Sequence, residues 1–205
     1  LNFYSKIKNW TKNMESIINT CVSADGAIFA IRKNLFTPIN NGDINDFVIP
    51  LSIIEKGYRG IFVKEAICYE KASKSFVNEV DRQIRMATRT IRAILKNLKL
   101  LNPIKHPFFA YQLLSHKILK YTIPFFMISL FITNVFAVII MPTMFNRLFL
   151  FLQLLFYLMG LKTWEKHSRN IINKIGKLCR SFCMVNYAIF IGWLKYFKGE
   201  KFTIW

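Results

Sequence analysis

The hydrophobic pattern divides the chain into a mixed first part and an apolar last part. Phe3, Ile7, Trp10, Met14, Ile17 and Ile18 recur at helical spacing and predict a helix over residues 1–19. Asp25-Gly26 is a turn signal, and the apolar run 27–31 (AIFAI) reads as a short strand. A loop follows over 32–45, with Pro38, Asn40, Asn41 and Gly42. Asn45 or Asp46 can cap a helix over 47–56, with Pro50 near its first turn and Gly57 as terminator. Residues 60–69 (GIFVKEAICY) read as one or two further strands, so the first part is expected to be α/β.

The pattern then changes. Val77, Val80, Ile84, Ala87, Ile91, Ile94, Leu98 and Leu101 form one apolar helical face. Arg82, Arg85, Arg89, Arg92, Lys96 and Lys99 form a basic face on the same helix. A helix of this kind suits the headgroup plane of an anionic leaflet. Pro103 and Pro107 end it, and 108–117 reads as a second short helix leading into the membrane. No charge occurs from 121 to 141, a stretch of 21 residues, and a bilayer core takes roughly 20 apolar residues of helix. Residues 148–161 and 181–194 are shorter charge-free runs of 14 residues each. Each reaches span length if Arg147, Lys162 or Lys195 snorkels, and each could instead be re-entrant or interfacial. Between them, 162–180 carries six Lys/Arg and one Glu, which makes that loop cytoplasmic by the positive-inside rule. The last 14-residue run would place the lysine-bearing tail KGEKFTIW outside if it spans, a poor fit to the same rule.

Composition changes this picture in two ways. The net charge of +18 admits nucleic acid, anionic lipid or an anionic substrate as partner. The basic residues border the apolar spans and no nucleic-acid recognition motif occurs, so the lipid bilayer is expected and nucleic acid is not. Cys21, Cys68, Cys179 and Cys183 lack metal-ligand spacing and read as small apolar filler in a reducing compartment. The first twenty residues are polar and mixed, unlike a signal peptide, and the chain begins in mid-pattern at Leu1. It is therefore expected to be the C-terminal part of a longer protein.

Three segments, in this order, resemble membrane-bound family 2 glycosyltransferases of the polysaccharide-synthase type, related to cellulose and hyaluronan synthases. ADGAIFAIRKNLF (24–36) is similar to the family's strand and arginine-bearing segment before the acceptor site. INDFVIPLSIIEKGYRGIFVKEAICYE (44–70) is similar to its acidic-pair helix, Gly-Tyr-Arg turn and Glu-Ala strand. RQIRM (82–86), followed by residues 100–124, is similar to its interfacial helices and their passage into the membrane. The resemblance implies an α/β fold: the C-terminal part of a GT-A type catalytic domain over 1–75. Amphipathic interfacial helices would follow over 76–117, then about three transmembrane helices over 118–205. It implies a hexosyltransferase that inverts the anomeric centre of a nucleotide-sugar donor and extends a glycan or lipid acceptor. The alternative is a non-catalytic membrane-anchored partner or remnant of such an enzyme. The expected location is the plasma (inner) membrane, with the catalytic part cytoplasmic and a partner subunit possible.

Inverting transfer needs one carboxylate to take the acceptor hydroxyl proton, and positive charge to hold the departing diphosphate. In the family an acidic pair supplies the base; here Asn45-Asp46 stands in its place, which makes Asp46 the candidate. An N-cap is the plain reading of the same residue. The family's Gln-x-x-Arg-Trp maps onto Arg82-Gln83-Ile84-Arg85-Met86, where Arg85 alone is retained. Arg85, with Arg82, is the candidate for diphosphate binding, against a reading as membrane-surface charge. Asp25 and Gly26 are candidates to shape the acceptor pocket, against an ordinary turn. A divalent metal (Mg or Mn) is implied, but no Asp-x-Asp occurs in this sequence, so its ligands are expected outside the chain.

Overall fold

The computed structural model describes residues 3–40, 42–69, 76–162, 170–200 and 202, with side chains described from residue 6 in the first helix and from residue 79 in the third. The described helices are α1 (Phe3–Ile18), α2 (Asn45–Glu55), α3 (Phe76–Lys96), α4 (Pro107–Leu113), α5 (Leu119–Ile140), α6 (Met144–Leu161) and α7 (Ile171–Phe197). Among the described residues helix makes up 72% and strand 1%, with no sheet. The fold is therefore all-helical, and the expected α/β, GT-A-type layer is corrected. Residues 27–31 and 60–69 do contain strand-forming residues, but a strand exists only by pairing. Asp25 and Ile28 form an isolated bridge. The amide of Gly60 goes to the Thr20 hydroxyl (2.8 Å) and that of Phe62 to the Ser16 hydroxyl (3.0 Å). These groups bond to the end of α1 rather than to a neighbouring strand, so no ladder starts.

The first four helices make a headpiece. Its core joins Val22, Phe47, Leu51 and Ile54 to Ala93 and Ile94 of α3, and to Leu100, Phe109 and Leu113. Phe47, Leu51, Leu100, Phe109 and Leu113 are at most 1% exposed. Burial of each such side chain contributes roughly 1.5–3 kcal/mol. Gly57 ends α2 at φ +83°, a conformation that costs glycine least. Pro50 sits inside α2 rather than in its first turn. A proline has no N–H to give the carbonyl four residues earlier, which here is that of Asp46. That carbonyl accepts the Ala24 amide instead, at 2.8 Å.

α5 and α6 form an antiparallel hairpin through the 141–143 turn. Asn146 Nδ2 donates to Met141 O (2.8 Å), Asn134 Nδ2 to Gln153 Oε1 (2.7 Å), and the Tyr157 hydroxyl to Met127 O (3.3 Å). The polar rungs satisfy groups that lipid would leave bare. The helix running from Pro107 through Ile140, and α6, are each long and apolar enough to cross a membrane.

α7 is not among the described helices that are both long and apolar enough to cross a membrane. Phe190 and Trp193 pack on Phe125 near the start of α5 (6.1 and 5.9 Å), and Trp193 Nε1 donates to Tyr121 O (2.9 Å). Phe182 packs on Phe156 (5.8 Å), and Cys183 lies against Gly160 at the end of α6. Both contacts are at the headpiece end of the hairpin. Ile171 is twelve residues from Cys183, about 18 Å of helix, short of the ~30 Å hydrocarbon core. Past α7, Arg89 Nη2 donates to Phe202 O (2.8 Å) and Arg92 Nη2 to Glu200 O (2.5 Å). Glu200 and Phe202 are thus held against the headpiece. Gly192 permits the closest approach of α7 to α3: a Cβ there would meet that of Ala87 at 2.8 Å.

Candidate functional site

The site forms where the start of α2, the 24–26 turn, one face of α1 and the junction of α4 with α5 converge. The Pro50-freed carbonyl of Asp46 anchors Ala24, and this sets Gly26 beside the Asp46 side chain. A Cβ on Gly26 would lie 3.0 Å from Asp46 Oδ2. Asp46 Oδ1 is buried with no hydrogen-bond partner. Ile44 is the residue that caps α2, with no side-chain capping bond, so the Asp46 carboxylate is not spent on a cap.

α1 contributes Lys8, Lys12 and Glu15 from one face. Lys8 Nζ donates to Asp25 Oδ2 at 2.8 Å, and Lys12 Nζ lies 3.5 Å from the same oxygen. Glu15 Oε2 accepts the Val22 amide (3.1 Å), while Glu15 Oε1 pairs with His116 Nδ1. His116 and Lys117 belong to a π-helical turn, 114–118, between α4 and α5. A turn of this kind widens the helix locally and often marks a functional position. Here it carries the Lys117 ammonium to 4.7 Å from the centre of the Phe47 ring, next to Asp46.

The two carboxylates are driven apart electrostatically. Burial raises the pKa of Asp46 above the ordinary carboxylate value, the Lys117 and Lys12 charges oppose that rise, and Asp25 reinforces it. Burial also pushes Asp25 up, but the Lys8 hydrogen bond and the Lys12 and Lys8 charges outweigh it and hold Asp25 low. Two acids whose environments separate their protonation in this way are suited to different tasks. Asp25 stays ionised and fixed; Asp46 is the group with a proton affinity worth using.

Of the residues singled out from the sequence, the structure brings Asp46, Asp25 and Gly26 together. It does not bring Arg82 and Arg85 to them. Arg82 is gripped by Glu79 on its own helix, at 2.7 and 2.9 Å. Arg85 is half-buried on α3, where its charge bears on Arg89, whereas the charges bearing most on Asp46 are Lys117, Lys12 and Asp25. Sequence reasoning missed Lys12, Glu15 and Lys117 as site residues. No local spacing marks them, since Glu15 and His116 lie 101 residues apart.

Among the described residues no group of three His, Cys, Asp or Glu could hold a metal ion. The acid pair itself is interleaved with lysines, so these residues do not fit a divalent cation. A shallow groove lined by Asn9, Trp10, Asn13, Phe62 and Lys64 lies on a different face of α1 and does not include Asp46. Comparison with known proteins finds no matching family model, no curated protein and no solved structure that matches this chain.

Proposed function

We propose that this chain is the acceptor-side, membrane-anchored part of an inverting glycosyltransferase that passes a sugar from a nucleotide-sugar donor to a glycan or lipid acceptor. One observation carries the reading: a half-buried carboxylate, Asp46, with one enclosed and unpartnered oxygen and a raised pKa, pressed against the bare backbone of Gly26. In this role Asp46 takes the proton from the acceptor hydroxyl as that oxygen attacks the anomeric carbon, whose bond to the donor phosphate breaks and releases the nucleoside diphosphate. Gly26 lets its backbone pass close against the Asp46 carboxylate, and the Lys117 and Lys12 charges limit the rise in the Asp46 pKa that burial imposes. The metal that the family resemblance implies is assigned to ligands outside this sequence, and no step here runs through it. Arg85 remains the candidate for the diphosphate side, away from the base. By the positive-inside rule the headpiece faces the cytoplasm at the inner membrane.

A second reading is favoured by a different observation. The chain is all-helical, and its described residues offer no metal cluster, which suits a non-catalytic membrane-anchored partner. The test is a panel of nucleotide sugars offered to the intact native protein in membranes. Sugar transfer that Asp46→Asn abolishes, with donor binding retained, supports the enzyme. Donor binding and transfer both absent across the panel support the partner.

A further inference from the structure

We propose that the first half of α7 is an in-plane helix that binds anionic phospholipid headgroups at the headpiece end of the α5–α6 hairpin. This is independent of the reaction assigned to Asp46. The helix carries three distinct faces over residues 171–183. Ile171, Ile175, Leu178 and Phe182 project along one line and are 73%, 48%, 71% and 40% exposed. Gly176 and Cys179, turned about a quarter to a third of a revolution away, are buried in the molecule. Lys174, Lys177 and Arg180 occupy the remaining arc, on the other side of the apolar line. A water-facing helix has no use for such a line of large apolar side chains, and the described residues leave it exposed.

Its surroundings say what does. The apolar line begins where the exposed apolar surface of α6 ends, at Leu158 and Leu161, 63% and 82% exposed. The Gly160–Cys183 contact fixes that junction. The apolar line of α7 is therefore continuous with the exposed apolar surface of α6 where the hairpin leaves the headpiece. The occupant continuous with a membrane-spanning hairpin is the bilayer itself. The twelve-residue reach from Cys183 to Ile171 stops about 18 Å along the helix, too short to cross. A helix at this level with basic residues beside an apolar face lies with that face about 5–10 Å into the headgroup–acyl boundary, and its charge selects anionic lipid.

The test uses the intact protein reconstituted into vesicles of phosphatidylcholine alone, or with one quarter phosphatidylglycerol. A fluorophore is attached at Ile175→Cys in a Cys68→Ser background, Cys68 being the exposed native thiol. Quenchers are placed in the headgroup region, at the bilayer centre and in water. The expected result is headgroup-level quenching about twofold or more above that at the centre, as an interfacial depth requires. It should be stronger with phosphatidylglycerol and weakened by Lys174→Gln. Quenching strongest at the bilayer centre would make α7 a span and overturn the proposal. Quenching from water alone would overturn it too, and equal depth in both vesicles would overturn the anionic preference. A label at Leu158→Cys, expected to be quenched from the lipid in every case, shows that the hairpin is inserted.

Discussion

At the scale of single residues the structure separates what a carboxylate can do from what it looks like in sequence. Asp46 fits an N-cap by pattern, yet Ile44 takes that place and the acid is left buried. The sign of its effect on stability follows. An acid whose folded pKa lies above its unfolded value stabilises the fold below the unfolded pKa, and loses that contribution as pH rises through the folded pKa. Asp46→Asn is therefore expected to raise the thermal midpoint at neutral pH, with the gain vanishing below about pH 4, near the ordinary Asp value. Melting in detergent across pH reads this directly; a midpoint lowered at neutral pH would contradict it. Asp25 behaves in the opposite sense. Its folded pKa is lowered, so its contribution is present above the unfolded value and lost as pH falls through the folded one. Its partners are part-exposed lysines, so Asp25→Asn is expected to cost only about 0.2–1 kcal/mol at pH 7. Gly26→Ala should displace the Asp46 carboxylate by a few tenths of an ångström. A threefold to tenfold loss of transfer is expected, about what such a misplacement costs, with the fold intact. Asp46, Asp25 and Gly26 were legible in the sequence because turn and helix-start chemistry is local. Lys117 and the Glu15–His116 pair were not, because tertiary packing alone joins them.

At the scale of elements, the device that builds the site is a proline. Pro50 frees the Asp46 carbonyl for Ala24 and so ties a turn twenty residues upstream to the start of α2. Pro50→Ala would offer that carbonyl an intrahelical donor. The helix is expected to become more stable while the 24–26 turn loosens, with transfer falling about tenfold, as for a sub-ångström misplacement. Unchanged transfer would show that the turn is held by other means. The strands expected over 27–31 and 60–69 failed for a reason visible in their bonds: their amides meet α1 and a local bridge. β-propensity records fit to a pleated, paired surface, and no such surface exists among the described residues. The apolar face of α3 packs on α2 and α7, and of its basic face Arg89 and Arg92 bind the tail carbonyls while Arg82, Lys96 and Lys99 stay exposed. Gly192→Leu should force α3 and α7 apart, at a cost of about 1–3 kcal/mol in the unfolding midpoint.

At the scale of the whole molecule, a helical headpiece sits on a two-helix hairpin, with α7 laid across the junction. The hairpin was legible in the sequence because 121–141 has no charge and α6 follows a Pro-Thr turn. The path of α7 was not, since 14 charge-free residues suit a span or an interface equally until packing fixes their level. Tags at the C-terminus and in the headpiece are expected to be digested from the same side of sealed vesicles; protection of only one would contradict this arrangement. The central claim is that Asp46 is the base of a sugar transfer, and the most direct measurement is the rate of transfer against pH in the intact protein, wild type beside Asp46→Asn. The wild-type rate should rise through an ionisation above the ordinary carboxylate range, because burial raises Asp46. The variant should fall about 10²–10⁴-fold and lose that ionisation, the size of effect that removal of a general base produces. A variant that transfers sugar at the wild-type rate, with the wild-type pH dependence, would contradict the claim.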